Sequence, residues 1–270
     1  MRIITHQDFL QVYTHDPAAV PGRIESIMTV IRDEFPWEET GYPAGLEDIA
    51  AVHSRSHVDR VSRQGLYNIA ALAAGTAIEA AEIGLEEPSF ALIRPPGHHA
   101  SADSSWGFCY FNNMAIALEH LRRSGLIRTA YVLDFDMHFG DGTVSILRDR
   151  GYVAIHNPDA DDRLTYLQQV EEHLAAARVD IIGVSAGFDN HMQDWGGLLT
   201  TEDYQAMGAM IRAACDRLGI GCFAVLEGGY NQHVLGRNVL AFLRGVSGKM
   251  GAAAEHPVDN SKGVSNDTGE

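Results

Sequence analysis

Cysteine is scarce. The 270 residues contain three, Cys109, Cys215 and Cys222, and no two form a Cys-x-x-Cys pair. A disulfide framework and a thiolate zinc knuckle are therefore excluded as organising principles, and the chain reads as one for a reducing compartment. Basic charge is also short, with 20 Lys and Arg against 36 Asp and Glu and a net charge of -16. Such a surface repels phosphate backbones, so nucleic acid is not an expected partner. It is compatible with cationic small molecules, although most of this charge is ordinary solvated surface. No apolar run is long enough to cross a bilayer, and no membrane partner is expected. The N-terminal Met1-Arg-Ile-Ile-Thr-His6 lacks the apolar core of a signal peptide, so the expected location is cytoplasmic. No repeat at a solenoid period is visible.

What is present is a 46% hydrophobic composition in a length that suits one large α/β domain or two small ones. Short β-branched or aromatic runs predict strands at 2–5, 89–93, 129–134, 152–156, 179–185 and 222–226. Helical apolar spacing predicts helices at 24–35, 67–83, 110–123, 164–177, 201–218 and 233–246. Residues 36–45 read as a turn-rich connection. The alternation of strand and helix predicts a parallel sheet covered on both faces. From 247 to 270 the composition turns to Gly, Ala, Ser, Asn and acidic residues, which predicts a disordered tail.

The chemistry gathers just after predicted strands, where open α/β sheets bind ligands. Four polar clusters stand there: His98-His99, Asp134-Phe-Asp136-Met-His138, Asp189-Asn-His191, and Glu227-Gly-Gly-Tyr230. Together they predict one site assembled from distant segments. Asp136, His138 and Asp189 are the candidate metal ligands, a set that leaves a coordination position open for water. His98 and His99 are the candidate general base and acid, and Asp134 and Asp141 can orient their rings. Tyr230 can hydrogen-bond a carbonyl oxygen that gains charge, with Gly228 and Gly229 permitting close backbone approach. This set suits metal-assisted amide hydrolysis. Each element also has a plain structural alternative. The histidine pair can be a polar loop, Asp189 can cap the next segment, and Tyr230 can be a half-buried loop aromatic. Asn157-Pro-Asp159-Ala-Asp161-Asp162 lacks the glycine and distal Glu of a calcium loop and reads as solvated connection.

These residues resemble the histone deacetylase and acetylpolyamine amidohydrolase family. The matching segments are Arg94-Pro-Pro-Gly-His-His-Ala100, Trp106-Gly-Phe-Cys-Tyr-Phe-Asn112, Asp134 to His138 with Gly140-Asp-Gly-Thr143, Ala186-Gly-Phe-Asp-Asn-His191 and Leu226-Glu-Gly-Gly-Tyr230. Pro21-Gly-Arg23-Ile24 and His53-Ser54 are similar to its upstream motifs, and all occur in family order. The resemblance implies a three-layer α/β arginase/deacetylase-like fold with a central, mostly parallel sheet over residues 1–246. It implies a zinc amidohydrolase, with ferrous iron as the alternative metal, and the same ligands, histidine pair and tyrosine as above. It also implies that Gly107 and Phe108 line the substrate channel and that Arg23 lies near a product-exit pocket. The motifs look more like the class II and acetylpolyamine branches than class I.

Departures from the family pattern shape the expected substrate. Phe139 stands where members usually carry a second histidine, and Ala154-Ile155-His156 replaces a Ser-x-His strand, which puts a monovalent potassium site in doubt. The chain runs from Ile155-His-Asn-Pro158 straight into the next helix, without the family's long Phe-Pro-Gly loop and following strand. The stretch between His57 and Tyr67 is also short. One aromatic wall of the channel is therefore expected to be absent, with a wider mouth that a partner subunit in a homo-oligomer could roof. The expected substrate is a small N-acyl or N-alkyl amide, with a protein acetyl-lysine side chain as the alternative. Two readings compete from other classes. Gly183-Val-Ser185-Ala-Gly187 fits a nucleophile elbow, which Asp203 or Asp216 and His233 would complete as a serine hydrolase. A non-catalytic binder that kept the fold is the other.

Overall fold

The computed structural model describes residues 1–249. Seven strands make one sheet: β1 (Arg2–Thr5), β2 (Trp37–Glu39), β3 (Ser89–Ala91), β4 (Ala130–Asp134), β5 (Val153–His156), β6 (Ile181–Ala186) and β7 (Gly221–Leu226). Their order is β2-β1-β3-β7-β6-β4-β5, and every pairing is parallel. Nine helices are described: α1 (Arg23–Ile31), α2 (Leu46–Ala50), α3 (Arg55–Arg63), α4 (Tyr67–Ile83), α5 (Asn113–Arg123), α6 (Asp141–Leu147), α7 (Arg163–Ala176), α8 (Thr201–Leu218) and α9 (Gln232–Ser247). Parallel strands need helical crossovers, and these bury both faces of the sheet.

Strand alternation divides the core into two layers. Ile4, Ala91, Val132 and Val225 face a cluster with α4 and α5. Their neighbours Ile3, Phe90, Leu133 and Leu226 face the cluster built with α1, α7, α8 and α9. The central strands are thus apolar on both sides, which is why they read as continuous hydrophobic runs. None of the described helices is long and apolar enough to cross a membrane.

The boundaries differ from expectation where side chains rather than periodicity set them. The first helix stops at Ile31, and α5 begins at Asn113 because Asn112 caps it, its Oδ1 accepting the Ala115 N–H at 2.8 Å. Within the expected turn-rich connection lies β2, a three-residue edge strand with two exposed glutamates and no apolar period to betray it. Helix α9 continues to Ser247, and Gly248 closes it with a left-handed backbone. From residue 250 onward the expected tail lies outside the described residues.

Candidate active site

All parallel strands end on one side of the sheet, and the β3, β4, β6 and β7 ends deliver the four polar clusters to one place. The loop after β4 continues the strand's alternation. Asp134 and Asp136 point to the site, while Phe135 packs in the core against Phe188, Tyr204 and Phe242 with ring centroids 5.6, 5.9 and 5.3 Å away. The loop after β6 repeats the device, with Phe188 buried and Asp189 turned into the site.

Asp136, His138 and Asp189 offer ligand atoms that lie within 4.8 Å of one another. His138 Nδ1 is 3.0 Å from Asp136 Oδ1 and 3.2 Å from Asp189 Oδ2. The other oxygens are fixed by backbone donors. The Gly228 N–H donates to Asp136 Oδ2 at 2.9 Å, and the Met137 N–H donates to Asp189 Oδ1 at 3.1 Å. A Cβ on Gly228 would sit 2.5 Å from both Asp136 Oδ2 and Asp189 Oδ2, so this approach requires glycine. Asp189 Oδ2 is buried and has no hydrogen-bond partner among the described residues. Burial opposes the Asp136 charge, but His98 and the bonds from His138 outweigh it and hold that carboxyl low. Burial and then the Asp136 charge push Asp189 up to about 7, while the hydrogen bond to Asp136 and the close Asp189 carboxylate raise His138 to about 10. Two buried carboxylates crowd one imidazole, and one carboxylate oxygen has no partner. This donor set fits a divalent cation bound through N and O atoms.

The histidine turn sits against this group. Glu227 Oε2 accepts the N–H groups of Gly97 at 2.7 Å and His98 at 3.2 Å, tying the β7 end to the turn. His98 Nδ1 lies 3.0 Å from Asp134 Oδ2, and His99 Nδ1 lies 2.7 Å from Asp141 Oδ1. A carboxylate on Nδ1 fixes the tautomer and leaves Nε2 for chemistry. The environments split the pair. Burial disfavours the charged form of His98, but Asp134 and Asp136 outweigh it and raise its affinity for a proton well above that of free imidazole. Burial, followed by the neighbouring His98, lowers His99 to about 4, so it is a neutral base at pH 7. The opposed shifts differ from the expectation that both rings exchange protons: His99 is suited to proton transfer near pH 7, and His98, held charged between Asp134 and Asp136, is suited to a fixed positive charge.

Tyr230 follows the Glu227-Gly-Gly run at the end of β7. Burial holds its phenol in the protonated, donating form. Gly107 and Phe108 both have positive φ, 56° and 65°, and the Phe108 ring meets the Tyr230 ring edge-on at 5.9 Å. A phenylalanine in this backbone region is strained and tolerated where the surroundings impose it. Arg23 is buried behind the tyrosine loop. Its Nε donates to the Gly229 carbonyl at 2.8 Å and its Nη2 to the Glu227 carbonyl at 2.5 Å. It touches the loop backbone and does not join the Asp136–His138–Asp189 group.

Several alternatives fall to this geometry. Asp189 caps no helix, and the histidine pair is buried rather than a solvated loop. Ser185 lies inside β6, opposite Asp134 and Val225, with a buried hydroxyl that has no partner among the described residues. No helix starts after it until Thr201, so the elbow reading is wrong: the glycines flank a strand end, not a strained turn. The residues given no role from sequence are Trp106, Glu227, Asp194 and Trp195. Trp106 donates its indole N–H to Asp141 Oδ2 at 2.9 Å and stacks on His99 at 3.7 Å. Its exposure at 53% in a Gly-flanked loop is visible only in three dimensions.

Beside the ligand group, the short 157–162 connection leaves a cavity of about 140 Å³ lined by Asp136, His138, Phe139 and Asn157 among others. A second, of about 280 Å³, continues from Phe139 and Asn157 along β5 to Arg148.

An α/β scaffold that brings a candidate metal-donor set against a histidine pair of opposed proton affinities has the parts of a hydrolase site. The comparisons give the family. The histone deacetylase domain model matches residues 18–166 and 153–246. A probable deacetylase of Methanothermobacter thermautotrophicus is 35% identical over 306 residues, covering 92% of this chain and 91% of the relative. The acetylpolyamine amidohydrolase of Mycoplana ramosa is 31% identical, covering 81% of this chain and 74% of its own. Among solved structures, the acetylpolyamine aminohydrolase of Burkholderia pseudomallei superposes with a TM-score of 0.76 at 23% identity, over 93% of this chain and 100% of that one. The HDA15 HD domain gives 0.75 at 21% identity, over 94% and 91%. The chain belongs to the histone deacetylase family, and it is a hydrolytic enzyme that acts on amides.

Proposed function

We propose that the protein is a zinc-dependent amidohydrolase that cleaves small N-acyl or N-alkyl amides. The observation that carries this reading is the convergence of Asp136, His138 and an unpartnered Asp189 oxygen beside a neutral His99. A divalent cation held by these three residues supplies Lewis-acid activation of water and of the amide carbonyl. His99, oriented by Asp141, takes a proton from the attacking water. Tyr230 donates a hydrogen bond to the carbonyl oxygen as it gains negative charge. The new C–O bond forms, the C–N bond breaks, and His99 returns its proton to the departing amine nitrogen. His98 stays cationic against Asp134 and stabilises the negative charge nearby. The short connection after β5 supports a compact substrate. The names of relatives, deacetylase and acetylpolyamine amidohydrolase, agree with an N-acyl amine.

The test is a metal-stripped protein reloaded separately with zinc and ferrous iron. Turnover is compared on N-alkyl amides, acetylated amines and acetyl-lysine peptides. Zinc is expected to restore activity, and Asp136→Ala and Asp189→Ala proteins to lose both bound metal and turnover. Full amide cleavage by folded, metal-free variants would sink the reading. A strong preference for long peptides would replace the small amide with protein acetyl-lysine.

A further inference from the structure

Tyr230 must hold its phenol against a carbonyl oxygen, and the bond that ties the residue to a neighbouring loop comes from its backbone N–H, not from the phenol. Its ring is fixed by other means. The buried Arg23 guanidinium lies over it, 5.5 Å from the centroid. The Trp195 indole stacks on it with centroids 4.0 Å apart and planes at 23°. Trp195 is itself 51% exposed, and it also meets Phe108 at 6.5 Å and His138 at 6.3 Å. An aromatic ring this exposed adds little to the core, and the three rings it meets are Tyr230, Phe108 and His138.

The preceding residue locks this stack. Asp194 Oδ2 accepts the backbone N–H groups of Tyr230 and Asn231, each at 2.8 Å, and its Oδ1 accepts the Trp195 N–H at 2.9 Å. The Asn231 side chain returns a hydrogen bond to the Gln193 carbonyl at 2.5 Å. One carboxylate thus joins the loop that carries the tyrosine to the loop that carries the tryptophan. The turn is tight: a Cβ on Gly196 would run into Asn190. The Asp-Trp-Gly-Gly stretch at 194–197 is built around these contacts.

We infer that Trp195, anchored by Asp194, is the positioning residue for Tyr230. It acts through the phenol and touches no reacting atom. The inference rests on the reading of Tyr230 as the carbonyl donor, and two measurements separate them. The first is a double-mutant cycle on the metal-loaded full chain, assayed with an acetylated primary amine. Trp195→Ala is expected to lower kcat roughly 10- to 100-fold, because a displacement on the order of 1 Å has that effect on a catalytic group. Trp195→Phe, which keeps a stacking ring, should recover most of the loss. In a Tyr230→Phe background the same alanine substitution should change kcat by less than about threefold, since the two residues act as one unit. An undiminished loss in both backgrounds, or no loss in either, overturns the inference. Should Trp195→Ala fold poorly, Asp194→Ala, which releases the loop but keeps the indole, is expected to give the same non-additive pattern.

The second measurement needs no turnover. Protein labelled with 3-fluorotyrosine gives a Tyr230 fluorine resonance, assigned by its absence in Tyr230→Phe. One sharp line is expected in the wild-type chain and a broadened or split line in Trp195→Ala. A wild-type kcat in Tyr230→Phe would remove the role assigned to the phenol. The fluorine line still decides whether the indole holds the ring, and an unchanged line in Trp195→Ala overturns the inference by itself.

Discussion

Asp141 bonds through both carboxylate oxygens: His99 Nδ1 on one, the Trp106 indole N–H on the other. Both partners donate, so the residue must accept twice, and only a carboxylate does so. Asp141→Asn replaces one acceptor with an amide donor. It is expected to lower kcat roughly 10- to 100-fold, the usual effect of removing the partner that orients a site histidine, with metal content unchanged. Steady-state kinetics beside a metal assay check this; a parallel loss of metal would refute an orienting role. Trp106→Phe should cost less, because a phenyl ring still stacks on His99. The sequence leaves Asp134 and Asp141 as carboxylates not used as metal ligands, and that is enough to suggest an orienting role. It cannot mark Trp106, because an indole N–H acquires its partner only when two loops from different strands meet. Glu227 is a similar case. It stands in a recognisable Glu-Gly-Gly-Tyr run, but its bonds to the Gly97 and His98 N–H groups join the ends of β7 and β3, which are neighbours in space and 130 residues apart in the chain.

The loops after β4 and β6 work as extended strands whose alternate residues serve two purposes. Phe135 anchors in the layer with α1, α7, α8 and α9 between Asp134 and Asp136, and Phe188 does the same beside Asp189. Removing the anchor should loosen the ligands as well as the core. Phe135→Ala is expected to destabilise the fold by about 3–5 kcal/mol, read as a lower midpoint in urea at an unchanged slope. It should also weaken metal binding. A stability loss under about 1 kcal/mol would mean that the cluster with Phe188, Tyr204 and Phe242 collapses into the space. Elements with strong periodicity are legible in sequence. Helices α4 and α8 match their expected ranges to the residue, because α4 is buried almost all round and α8 opens with acidic residues and a Thr200 capping box. Helix α3 escapes notice because charged residues dominate it, although His57, Val58 and Val61 are buried. Helix α6 escapes because it starts inside a Gly-Asp-Gly stretch that has the composition of a turn.

Across the whole molecule, acid acts on groups that pull in opposite directions, so one stability curve against pH is uninformative while a difference curve is not. Burial pushes Glu227 up to about 7, so the folded state takes up this proton before the unfolded chain does. That contribution grows as the pH falls. His53 does the reverse. Its Nδ1 faces the Ser101 carbonyl at 2.9 Å, and its Nε2 accepts the Asn112 N–H at 2.9 Å. This arrangement admits only the neutral ring, and burial followed by repulsion from His57 lowers it to about 4. The unfolded chain then binds a proton at 6.5 that the folded state refuses until about 4. His53 therefore contributes its full stability above pH 6.5 and loses it progressively down to about 4. Asn112 also caps α5 and bonds Thr143 on α6, so protonating His53 disturbs the join between these helices and the histidine turn. A His53→Asn protein lacks this titration. The stability difference between the wild-type chain and this variant is expected to shrink by about 1–3 kcal/mol between pH 7.5 and pH 4. Urea unfolding of both proteins across that range measures it. A difference that stays flat, or widens in acid, would show that the imidazole accepts its proton within the fold and that the Asn112 bond does not hold it neutral.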